Sequence, residues 1–167
     1  MHATPQGGRP VRVLVVAAAT PETTELPPAV ARAAGGGPAE AVVIAPALNS
    51  RIRTLFSDER AARRDAGERL ERCLAGLTGA GIASWGRIGD PDPMMAIRDA
   101  QVEFGPGAIV VVTCPTPDAH PRARDLAQRT RLWTALPVTS LEARPRAAER
   151  PRRPPAVHPG AAPALLP

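Results

Sequence analysis

Chemistry in this chain has to come from a few polar side chains set beside apolar runs. Cys114 directly follows Ile109-Val110-Val111-Val112-Thr113, and His120 is its only cationic neighbour close in sequence. A thiol becomes a nucleophile when a nearby positive charge favours its thiolate. Without that contact Cys114 is a small packed residue. Arg51 and Arg53 lie in a long polar connection, where a guanidinium can grip an anion through two hydrogen bonds or stand solvated. Thr113 and Thr116 flank Cys114 with hydroxyls, and Thr20 does the same after the first apolar run, which ends at Ala17. Asp90 and Asp92 are carboxylates two residues apart, a spacing open to a cation. No His or Cys lies near them to complete a metal shell. Asp92 before Pro93 also fits a helix N-cap followed by proline at the first helical position, and that use explains both the acid and the prolines. There is no Gly-x-Ser-x-Gly elbow of a hydrolase. Gly35-Gly36-Gly37 follows a helical pattern rather than a strand, so it is not a dinucleotide loop. With no visible acid–base pair or activated nucleophile, the chain is expected to be non-enzymatic.

The elements that would position these residues follow from hydrophobic periodicity. The run at 108–113 does not alternate, starts after the breaker Gly105-Pro106-Gly107, and is β-branched almost throughout. Such a run predicts a strand covered on both faces, which requires a parallel sheet with helices on each side. Sister strands are predicted at 11–17, 41–45, 82–88 and 137–141. The third is more polar and is therefore placed near an edge. Helices are predicted at 22–34, 58–78, 94–104 and 122–133. The clearest, 58–78, carries Ala62, Ala66, Leu70, Cys73, Leu74 and Leu77 at helical spacing. The order βαβαβαβαβ predicts a five-stranded parallel α/β sheet with helices on both faces, Rossmann-like in type. Residues 1–10 and the Arg-, Pro- and Ala-rich residues 143–167 are expected to be disordered, leaving 11–142 as the folded domain.

Composition narrows the function classes. The aromatic share is 2% and there is no Tyr, which disfavours a stacking platform for single-stranded nucleic acid. The net charge of +5 is uneven: residues 1–142 carry 16 Arg against 15 acids, and residues 143–167 carry 5 Arg against 1 acid. The surplus sits in the tail, so no nucleic-acid partner is expected. Two cysteines, Cys73 and Cys114, do not make a disulfide framework at this length and are read as reduced thiols. The opening MHATPQGGRP has no apolar signal core, and the apolar run at 13–19 is too short to span a bilayer. A cytoplasmic protein without membrane insertion is expected.

The strand count, the long second connection, Gly89-Asp90-Pro91-Asp92-Pro93 leading to Ile97 and Ala100, the strand at 108–112, and Pro137-Val138 before the last strand resemble the universal stress protein family over residues 11–142. The resemblance implies a fold of the adenine-nucleotide α-hydrolase type with sheet order 3-2-1-4-5. It also implies a homodimer, here expected through the fifth strand, and a role in stress physiology. In that order a crevice opens at the C-terminal ends of strands one and four. The crevice candidates are Ala17, Thr20, Arg51, Arg53, Thr113, Cys114 and Thr116. Members that bind ATP carry a Gly-rich loop after the fourth strand and an Asp at the end of the first. Here residues 113–121 contain no Gly and three prolines, and the first strand ends in Ala17-Ala18-Ala19-Thr20. Prolines have no N–H to offer a phosphate. No cofactor is therefore expected, and ATP or AMP held by an altered loop with Arg51 or Arg53 is the alternative.

Overall fold

The structure, a computed structural model, describes residues 8–48, 58–115 and 121–144. Its sheet has five parallel strands: β1 (Val11–Ala17), β2 (Ala39–Pro46), β3 (Ala83–Gly89), β4 (Ala108–Thr113) and β5 (Val138–Glu142). Their order is β3-β2-β1-β4-β5, the order implied by the resemblance. The crossovers contain α1 (Leu26–Ala33), α2 (Asp58–Gly79), α3 (Pro93–Phe104) and α4 (Leu126–Trp133). The expected folded domain thus extends to Arg144, while residues 1–7 and 145–167 of the two expected disordered segments lie outside the described residues.

The layering follows from side-chain alternation. Val13, Val15, Val43, Val110 and Val112 point to one face and pack with Leu26, Val30, Ala66, Cys73 and Leu77 of α1 and α2. Leu14, Val16, Ile44, Ile109 and Val111 point to the other and pack with Met94, Ile97, Ala100 and Leu126 of α3 and α4. Because β1 and β4 sit at the centre and are buried on both faces, they cannot alternate polar with apolar.

Two helices depart from expectation. The first starts at Leu26 rather than at 22, with no side-chain cap from Thr23 or Thr24. Pro27 and Pro28 lack an N–H and fit only where helical donors are unpaired, so the helix begins just before them. The last is broken into a single 3-10 turn, Pro121–Ala123, and α4, because Asp125 takes a left-handed conformation with φ 53°.

The β5 edge has a definite polarity. Ile109 N–H donates to Pro137 O at 2.9 Å, and Ala143 N–H donates to Thr113 O at 2.7 Å. In a parallel ladder the backbone groups of successive residues turn to opposite sides. The odd-numbered residues of β5 therefore face β4, and Val138 and Ser140 face away from the sheet. The Arg131 guanidinium lies over that outer side, donating to Val138 O and to Ser140 Oγ, each at 3.3 Å.

Candidate functional site

The C-terminal ends of β1 and β4 carry two cavities that share Cys114. One, of about 390 Å³, lies on the α1/α2 side and is lined by Thr20, Thr23, Glu22, Arg72, Cys114 and Arg144 together with Ala19, Pro21 and Ala143. The other, of about 500 Å³, lies against α4 and is lined by Thr113, Cys114, Arg124, Gln128, Arg131 and Ser140 among others. Both open where β1 and β4 diverge towards opposite sides of the sheet, the place where parallel α/β folds hold ligands.

Local backbone explains the shape of the first cavity. Beyond β1 the Ala18 and Ala19 N–H groups both donate to Val112 O, at 3.1 Å each, which folds the chain across the end of β4. That turn brings Thr20 and Thr23 above the sheet. Gly76 of α2 lets the turn approach closely: a Cβ there would lie 3.2 Å from Thr23 O. The approach places Arg72, one helical turn earlier, beside the threonines. Arg144 enters from the end of β5 and pairs with Glu25 at 3.9 Å. An exposed pair at that length contributes little.

The structure thus gathers Thr20 and Cys114 around one cavity and Thr113 and Cys114 around the other. Ala17 belongs elsewhere. It is fully buried in the α1/α2-side core, because its register opposite Val112 turns its methyl into the layer rather than toward the opening. Arg51, Arg53 and Thr116 lie outside the described residues. Asp90 and Asp92 serve as local caps: Asp90 Oδ1 accepts from Asp92 N–H at 2.7 Å, and Asp92 Oδ1 accepts from Met94 N–H at 2.9 Å.

Arg72 and Arg144 were not legible as site residues. Arg72 reads as the surface partner of Glu68 on a helix, and Arg144 as part of a basic tail; only the crossover geometry brings them together. Arg69, one turn before Cys73, is the more buried guanidinium. It donates to Pro46 O at 2.6 Å at the end of β2, and burial lowers its pKa, with Asp65 nearby opposing the shift. Cys73 is buried against it, and burial raises its thiol to about 12, so it stays protonated and unreactive at neutral pH. Neither cysteine forms a disulfide.

No protein-family model matches the chain, and no curated protein matches it. Among solved structures it is similar to the crystal structure of a protein from the universal stress protein family from Burkholderia pseudomallei. The identity is 20%, the match covers 80% of this chain and 96% of that one, and the TM-score is 0.49. No helix among the described residues is long and apolar enough to cross a membrane.

Proposed function

We propose that this chain is a non-enzymatic, universal-stress-like binding protein that works as a homodimer and holds a small anion in the crevice beside Cys114. The observation that carries the reading is the meeting of Arg72 and Arg144 with the hydroxyls of Thr20 and Thr23 around one cavity. Guanidiniums and hydroxyls hold an anion through charge-assisted hydrogen bonds, and Arg144 is released by breaking its long pair with Glu25. Two cysteines outside any disulfide accord with a cytoplasmic setting. The stress role rests on the sequence resemblance.

The anion class includes the phosphates of ATP or AMP, the alternative reading, with Arg72 and Arg144 taking the part of the missing glycine loop. Thermal-shift titrations with ATP, ADP, AMP, cyclic AMP and inorganic phosphate, with and without magnesium, separate these. A saturable gain is expected for at least one, about 2.7 kcal/mol at a hundredfold excess over Kd. It should be lost in Arg72→Gln. A flat response to all of them removes the ligand and leaves a protein scaffold.

Dimerisation is proposed through the outer edge of β5, where Val138 and Ser140 present backbone groups to a second copy once Arg131 swings aside. Ser140→Pro removes an outward N–H without touching the β4 ladder. Thr139 does not serve for this test, because its N–H faces β4. Wild-type protein should elute as a dimer on sizing and Ser140→Pro as a monomer; an unchanged dimer moves the interface off this edge.

A further inference from the structure

On the outer side of α3 and α4 lies a groove that the crevice does not use. Of the five large apolar side chains exposed among the described residues, four are on these helices: Met95 (44% exposed), Val102 (89%), Leu132 (83%) and Trp133 (39%). Met95, Arg98 and Val102 fall on one face of α3, at positions i, i+3 and i+7, and Arg129, Leu132 and Trp133 on one face of α4. Between them opens a groove of about 460 Å³ lined by Met94, Met95, Leu132 and Trp133 and edged by Arg98 and Arg129. The Arg98 guanidinium lies 5.4 Å from the centre of the Trp133 ring, which fixes the indole as one wall. Asp92 also reaches the groove, with its carboxylate engaged by Met94 N–H. The groove therefore offers an apolar floor between two guanidiniums.

We propose that this groove docks an acidic amphipathic helix supplied by a partner protein. A helix laid in a groove inserts apolar side chains at i, i+3 or i+4, and i+7, and its flanking positions meet the rims. Here the rims are cationic, so the complementary flanks are Asp and Glu. The same charges disfavour other occupants. A second copy joined through this face by a two-fold axis would set Arg98 and Arg129 against their own counterparts. Residues 145–167 of this chain carry 4 Arg against the single acid Glu149, so they bring the wrong sign. A flat bilayer does not fill a groove set between two helices, and vesicle binding is a separate arm of the test.

The test uses the full chain with Trp85→Phe, which leaves Trp133 as the sole indole. It is titrated with a synthetic helical peptide bearing Leu at every third or fourth position and Glu between, and with the counterpart bearing Lys for Glu. Anisotropy of the labelled peptides against wild-type protein gives the same affinities without that substitution. The Glu peptide should produce a saturable change that weakens with salt, and the Lys peptide should bind at least about tenfold more weakly. Leu132→Ser and Arg98→Glu should each weaken the Glu peptide by about tenfold or more. Both sites are exposed, so the fold is retained. Equal binding of the two peptides, or no saturable binding, overturns the proposal. So does self-association abolished by Leu132→Ser, which assigns the groove to a second copy. Binding to phosphatidylglycerol vesicles that depends on Leu132, with no peptide binding, assigns it to a membrane and overturns it equally.

Discussion

Val111→Asp should cost at least about 2.5–6 kcal/mol, most of the margin of a marginally stable domain. Val111 is fully buried in the middle of β4, paired with Val16 on one side and Ser140 on the other. Its side chain packs in the α3/α4-side layer with Leu14, Val16, Ile44 and Ile97. A carboxylate there meets no donor, because the ladder already uses the neighbouring N–H groups. The group escapes part of the penalty by staying protonated, but an unsatisfied carboxyl still costs about 1–3 kcal/mol. Losing the buried valine costs roughly 1.5–3 kcal/mol more. Against a total stability of about 5–15 kcal/mol, the two together, with the distortion needed to admit water, remove most of the margin. The measurement is a circular-dichroism melt beside Val102→Asp, whose site is 89% exposed and should melt within about 0.5 kcal/mol of wild type. A native-like Val111→Asp melt would take residues 108–113 out of the sheet core.

The same burial explains which parts of the molecule could be read from sequence. A strand buried on both faces shows itself as an unbroken β-branched run, and 11–17 and 108–113 match β1 and β4 to the residue. The α2 stripe was equally plain, with Ala62, Ala66, Cys73 and Leu77 all buried. The break before α4 was not, because Asp125 carries no signal for a left-handed backbone in a stretch that otherwise reads as helix. Asp65 and Arg69 illustrate a different limit. Spacing puts them on one face of α2, yet Arg69 bends to the carbonyl of Pro46, which only the sheet brings within reach. The arginines of the crevice, Arg72 and Arg144, failed to show for this reason too. Thr20, Arg72, Cys114 and Arg144 come from four separate elements, and periodicity says which way a residue faces, not which loops meet.

Gly86→Ala should cost about 3 kcal/mol or more, although alanine is the smallest side chain available and a better strand residue than glycine. Gly86 sits inside β3 in register with Val43 of β2. A Cβ there would overlap Val43 O and lie 2.9 Å from Leu70 Cδ1. The leucine can rotate away. The carbonyl cannot, because Val43 is held between β1 and β3 and β2 is further anchored where Arg69 grips Pro46 O. Relief therefore requires β3 to move off β2. The Trp85–Glu40 hydrogen bond and the edge-on contact of Trp85 with Phe104, ring centres 4.8 Å apart, would move with it. Gly79→Ala is the matched control. It lies at the C-terminal end of α2, has nothing within 4 Å of a new Cβ, and should be neutral or slightly stabilising. With each kcal/mol worth roughly 2–8 °C for domains of about this size, the two variants should separate by several degrees or more. Equal melting temperatures would mean that β3 does not approach β2 as closely as this register requires. The third strand would then be a loosely attached edge rather than the wall against which α2 packs.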